Sequence, residues 1–216
     1  MTSTHKWIIG FVVAVVIIAV AGYYWHAMKA AKAPQPTGTV ATETPEGDSI
    51  VVLPSSAVSD AAAGGYICIY GFDGERWVEK TVSYISAPEH MPLSEKVAVL
   101  ADRLSRTQFG ALPIEVLSIT EHKGKRIARI NLRENADRMH GRGSWRGVHF
   151  QGSAGGEVTT LLLKKSFLQP AYTGEWIDGA EFYYEGKPIR GGEWDHIFLD
   201  GIFLRDGTQI PGEIAY

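Results

Sequence analysis

The sequence predicts an α+β domain, a mixed β-sheet with two helices packed on it in the order ββαββαβ, preceded by one N-terminal transmembrane helix. Three observations carry this. Two segments of the C-terminal two thirds repeat apolar residues at helical spacing. The segments between them are β-branched and aromatic runs closed by glycine-containing turns. Near the start, the 19 residues from Trp7 through Trp25 carry no charge and are mostly Val, Ile and Ala.

That first run would rise about 28 Å as a helix, close to the hydrocarbon thickness of a bilayer. Trp7, Tyr23, Tyr24 and Trp25 stand at its ends, where amphipathic rings favour the interface. The competing reading is a cleaved secretory signal, with Lys6 as n-region and Ala19-Val20-Ala21 as cut site. The length of the run and its aromatic belt favour retention, so residues 1–29 are expected to be an anchor. Lys6 on one side and Lys29 and Lys32 on the other nearly balance. The large C-terminal domain favours N-inside, which places that domain outside the cytoplasm, periplasmic, on a single-pass protein of the inner or cytoplasmic membrane. A lipoprotein anchor needs a Cys just after the apolar run, and the only cysteine is Cys68.

Residues 30–65 are Ala, Pro, Thr, Ser and Gly with scattered acids, interrupted by Ile50-Val51-Val52-Leu53. So little apolar surface predicts a disordered linker, stiffened by Pro34, Pro36, Pro45 and Pro54. Residues 66–72 read as a strand ending in the turn Asp73-Gly74, and residues 77–85 as a second, edge strand. After Pro88 and Pro92, Leu93, Val97, Leu100, Ala101 and Leu104 form one helical stripe. Glu95, Lys96, Asp102, Arg103 and Arg106 then read as its solvated face. Residues 114–120 and 126–132 predict a hairpin, with Ala128, Ile130 and Leu132 on one face.

Residues 133–149 are polar, rich in Gly and Arg, and loop-like, with Trp145 placed to pin them to the body of the domain. Ser153 is expected to cap a helix whose Val158, Leu161, Leu162 and Leu168 cluster to one side and which ends before Pro170. Residues 180–185 predict the next strand, with Phe182 and Tyr184 on one face. In the tail 191–216, Asp200-Gly201 between 197–199 and 202–204 predicts a type I′ hairpin pairing Leu199 with Ile202 and Phe198 with Phe203.

The chain has 21 basic and 24 acidic residues, a formal net charge of -3, which gives no global field toward nucleic acid. A lone cysteine forms no internal disulfide, and Cys68 among Tyr66, Ile67, Ile69 and Tyr70 reads as a small core hydrophobe. Gln151-Gly152-Ser153-Ala154-Gly155 misses the nucleophile elbow by one position. Gly152, Gly155 and Gly156 at a helix start offer N–H groups to an anion, but no P-loop Lys-Ser/Thr follows. The glycines at 141, 143 and 147 lack dinucleotide spacing. His122, His140, His149 and His196 show no metal-ligand spacing, so neither metal nor cofactor is expected. Asp195 and His196, adjacent on an extended chain, point to opposite faces. Arg138, Arg142, Trp145 and Arg146 form a local basic patch with one aromatic, the expected contact with an anionic partner.

Across residues 66–188 the chain resembles the GerMN domain, found in sporulation and spore-germination proteins and in many bacterial envelope proteins. Residues 66–72 correspond to its opening strand, 92–110 to its first helix and 125–134 to the strand before the loop. Phe150-Gln151-Gly152-Ser153-Ala154-Gly155-Gly156-Glu157 leading into residues 161–169 is similar to its Ser/Gly-started helix, with Ser166-Phe167-Leu168 in place of a Thr-Leu-like element. Glu185-Gly186-Lys187-Pro188 resembles its closing turn. The loop at 138–146 and the tail from Ile189 onward depart from the pattern. The resemblance implies a GerMN-like domain over 66–190 with a C-terminal extension over 191–216. It further implies a non-catalytic extracytoplasmic module that binds an envelope protein or self-associates through an edge strand. The rival expectation is a protein that binds or processes cell-wall glycan, stacking sugars on Trp145, Trp176 and Trp194.

Overall fold

A computed structural model describes residues 49–59, 64–135 and 143–212, all within the unit Pro45–Tyr216. The anchor expected over 1–29 and most of the linker lie outside the described residues. Among the described residues no helix is long and apolar enough to cross a membrane.

The architecture is α+β, with two sheets where one was expected. Strands β1 (Val51–Pro54), β2 (Ile67–Asp73) and β3 (Val78–Ser86) form an antiparallel sheet in the order β1-β3-β2. Residues 77–85, expected as an edge strand, and residues 51–54, expected as linker, both take other places. Val51 pairs with Ser86 and Leu53 with Tyr84, so β3 is central and the linker's one apolar run forms the edge. Pro54, which has no N–H to give, is tolerated because among the described residues nothing pairs beyond it.

Helix α1 (Leu93–Gln108) buries the expected stripe of Val97, Leu100, Ala101 and Leu104. Lys96, expected on the solvated face, is buried as well. Its stem packs inward while Nζ donates to the Glu89 carbonyl at 3.2 Å. Strands β4 (Ile114–His122) and β5 (Lys125–Leu132) form the predicted hairpin. It closes through Lys123 and Gly124, both at positive φ (50° and 76°), the two-residue turn whose twist matches the strands. Helix α2 (Ser153–Leu168) then carries the chain across to β6 (Gly179–Tyr184), which pairs parallel with β5. A parallel pairing requires such a crossover.

The second sheet runs β4-β5-β6-β8-β9, with β7 (Lys187–Pro188) also paired to β6. Strands β8 (Ile202–Leu204) and β9 (Gln209–Ile210) replace the hairpin expected across Asp200-Gly201. That turn needs positive φ at both central residues. Gly201 has it (79°), and Asp200 is not among the non-glycine residues at positive φ. Ile202 instead pairs with Glu181 of β6, Phe203 with Ala180, and the hairpin closes through residues 205–208 onto β9. Two neighbours for β8 satisfy more backbone groups than a hairpin with residues 197–199 would.

Both helices touch strands of both sheets, and β2 touches both helices. One apolar core therefore runs from Ile67, Ile69 and Ile85 through Leu100 and Leu104 to Ile130, Phe167 and Phe182. Cys68 is buried in it, as expected, and burial pushes its thiol pKa up. Beside it the buried Gln169 amide ends α2, accepting from the Cys68 N–H and donating to the Cys68 carbonyl, each at 2.7 Å. One side chain thus does for part of β2 what a paired strand would do.

Candidate functional site

The described end of the basic loop singled out by the sequence, residues 143–149, is organised by one carboxylate. Arg138 and Arg142 lie outside the described residues. Trp145 and Arg146 open a one-turn π-helix, Trp145–His149, organised by Glu134. Glu134 accepts from Ser144 Oγ at 3.0 Å, from the backbone N–H groups of Trp145 and Arg146 at 3.2 and 2.9 Å, and from Tyr184 OH at 2.9 Å. Ser144 Oγ in turn accepts from the Gly147 N–H at 2.9 Å. These bonds occupy the amides that a helix start leaves unpaired. Trp145 is completely buried, so it pins the loop as expected and offers no ring to a partner. Arg146 remains exposed, with its guanidinium 5.7 Å from the Trp194 ring centroid.

Burial alone would raise the Glu134 pKa, but the four donors outweigh it and hold the carboxyl below its usual range. A depressed carboxylate stabilises the fold above its unfolded pKa, and that contribution disappears as pH falls through the folded value. Glu134→Gln should therefore cost about 1–3 kcal/mol at neutral pH. It should also flatten the acid limb of stability against pH, which denaturant titrations between pH 3 and pH 7 would follow. An unchanged acid limb would show that Glu134 does not hold the turn.

The start of α2 corrects the second set of expectations. The residue at its cap is Gly152, at φ 69°, and no side chain caps it. Ser153 is already the first helical residue, and capping requires the non-helical residue before it. Gly156, expected as an anion contact, donates its N–H to the Gly152 carbonyl at 3.0 Å and is buried against the backbone of His196. Gly155 is half-buried and near the Val148 carbonyl. Gly156, with no Cβ, admits the His196 segment close to the helix, whereas a Cβ at Gly155 would meet only an ordinary contact. Of the three tryptophans set out for sugar stacking, Trp145 and Trp176 are buried and Trp194 is half-buried against Phe150 and Tyr184.

Among the described residues, depressions lie against the tail on two sides. The one beside β7 and β9, about 540 Å³, contains the Glu181 carboxylate and Asp200. Glu181 is buried and already engaged by Tyr183 OH at 2.9 Å and Arg129 Nε at 3.4 Å, so it serves the fold. Among the described residues no group of three or more His, Cys, Asp or Glu is placed to hold a metal ion.

The other depression, about 400 Å³, is an apolar groove between α2 and the tail. Its walls are Leu161 and Leu168 of the helix, with Phe198 and Leu204 opposite. The cluster expected on one side of α2, Val158, Leu161, Leu162 and Leu168, is not the face the core takes, since of these only Leu162 is buried. Leu162, Leu163 and Phe167 fill the core, so Leu161 and Leu168, on the adjacent strip, are left half-buried at the surface. Phe198 is 55 % exposed between the buried Ile197 and Leu199, and its N–H donates to Thr160 Oγ1 at 3.2 Å. Lys164 and Arg205 stand at the same groove. Sequence reasoning misses this site. Its signals are a helix with more leucines than one face can bury and a lone Phe alternating out of step with its neighbours. No protein-family model matches the chain, and neither a curated protein nor a solved structure matches it.

Proposed function

We propose that the chain is a membrane-anchored, extracytoplasmic, non-catalytic protein-interaction module of the bacterial cell envelope, similar to the GerMN domain. The uncharged run of residues 7–25 supports the tether. The succession β2, β3, α1, β4, β5, α2, β6 supports the domain type, since it follows the order on which the resemblance rests. The observation that carries the interaction reading is the open groove at α2, where Phe198 keeps more than half its surface in water beside two half-buried leucines. A contiguous apolar surface rimmed by charges is what contact with a partner protein covers.

The test has two arms. Full-length protein with a C-terminal alkaline phosphatase should be active and the same fusion to a cytoplasm-dependent fluorescent protein dark. The reverse pattern would overturn the topology. Immobilised full-length protein should retain a specific protein from solubilised membranes, whereas sedimentation with purified peptidoglycan should leave it in the supernatant. Cosedimentation with glycan and no protein partner would replace this reading by the glycan-binding one.

A further inference from the structure

We infer that the groove between α2 and the tail receives an acidic segment of a partner protein that inserts an apolar anchor residue against Phe198, Leu161 and Leu168. This rests on the interaction reading above and names the site and the chemistry of its occupant.

The floor sets the first requirement. A volume of about 400 Å³ walled by Leu161, Leu168, Phe198 and Leu204 is at the small end of ligand sites and suits one or two large side chains. The charges set the second. Glu157, Lys164, Lys165 and Arg205 line the groove. Lys165 is neutralised by Glu79, its ion-pair partner on β3. Among the described residues no carboxylate forms an ion pair with Lys164 or Arg205. Arg205 is fixed in place, because one of its nitrogens donates to the carbonyls of Gln169 at 2.8 Å and Tyr172 at 2.7 Å. Lys164 lies with Nζ 4.1 Å from the centroid of Phe203. Burial pushes its pKa down, with Asp200 acting against that. An incoming carboxylate would thus meet two held cations, one of them partly stripped of water, without displacing an existing ion pair.

The same charges argue against a lipid surface. Anionic bilayers select clusters of four or more Lys and Arg, whereas this groove is lined by Lys164, Lys165 and Arg205, with Lys165 paired to Glu79, Asp200 acting on Lys164 and Glu157 among them. A bound segment that presents a single anchor between carboxylates fits the mixed pattern better.

The experiment uses full-length protein in detergent micelles and three fluorescein-labelled twelve-residue peptides of Gly/Ser background. One carries Leu-Phe flanked by four Glu, one Leu-Phe flanked by four Lys, and one four Glu without the apolar pair. Anisotropy should show the acidic anchored peptide binding at least about tenfold more tightly than the other two. Phe198→Ser should weaken it by about tenfold or more, and because Phe198 is exposed the variant should keep the wild-type circular dichroism. Lys164→Glu should shift preference toward the basic peptide, and Lys164→Gln should weaken the acidic peptide without that shift. Equal binding of acidic and basic peptides, or full binding by Phe198→Ser, would overturn the proposal. So would uptake by phosphatidylglycerol vesicles that Phe198→Ser reduces, together with no peptide binding. If wild-type protein and Phe198→Ser capture the same membrane protein equally, the groove proposal fails while the interaction reading stands. If wild-type protein captures none and binds no peptide, both fail.

Discussion

Trp145→Ala is expected to lower the unfolding free energy by about 4 kcal/mol, the largest loss from any single truncation in the loop after β5. The ring is completely buried and sits among other rings, with centroid separations of 4.8 Å to Phe109, 5.4 Å to His149 and 6.1 Å to Phe150. Deleting it removes more apolar surface than a Leu or Ile truncation and leaves a void among Phe109, His149 and Phe150 that these rings cannot fill without moving one another. The indole N–H also donates to the Arg133 carbonyl at 3.0 Å, and the alanine leaves that acceptor without its partner. Trp145→Phe separates the two contributions. It keeps most of the packing and loses the hydrogen bond, so about 1–2 kcal/mol should go. Guanidinium unfolding of the full chain would measure both. A loss under about 1 kcal/mol for Trp145→Ala would mean that the indole is outside the core, and would return it to the partner-contact role that its sequence context suggests.

The two roles of Trp145 mark what a sequence displays and what it hides. Elements written in local period are legible: the stripe Val97, Leu100, Ala101, Leu104; the alternation of residues 126–132; and the Asp73-Gly74 stop after β2. Each depends on neighbours three or four residues away, or on alternation along one strand. Elements that depend on distant partners are not. Val51 to Leu53 are one short apolar run inside a polar, proline-rich stretch, and the free edge of β3, some thirty residues on, makes them a strand. Asp200-Gly201 carries a strong local turn signal, which loses to the pairing of Ile202 with Glu181 in β6. Nor can a count of strands say that β1, β2 and β3 close into their own sheet.

The candidate site divides the same way. Arginines near residue 142 stand out in a sequence, but Glu134, which organises the turn that holds Arg146, looks like any other surface acid. The groove is assembled from α2 and from residues more than thirty positions away, so Leu161 and Phe198 acquire a common meaning only when the tail is laid along the helix.

How closely the tail is laid there is measurable at Gly156, where substitution by alanine is expected to destabilise by about 2–3 kcal/mol. On local grounds the sign should be opposite. Gly inside a helix costs about 1 kcal/mol relative to Ala, and the replacement also reduces the freedom of the unfolded chain. But a Cβ on residue 156 would stand 2.6 Å from the Cβ of His196 and 2.8 Å from its carbonyl carbon. Neither atom is free to retreat, since Ile197 and Leu199 are buried and the Phe198 N–H is bonded to Thr160 on the next turn of α2. The tail cannot yield without withdrawing Ile197 from the core, and the helix cannot yield without withdrawing Leu162 and Leu163. The clash therefore exceeds the propensity gain. Gly155→Ala is the control, because a Cβ there meets only the Val148 carbonyl at 3.7 Å, an ordinary contact. It should be neutral or stabilising by up to about 1 kcal/mol. Because the groove is walled by these two elements, Gly156→Ala should also weaken the acidic peptide while Gly155→Ala leaves it unchanged. Equal stability of the two alanine variants in denaturant would show that helix and tail are not held together at residue 156, and the groove would then have no fixed width to recognise anything.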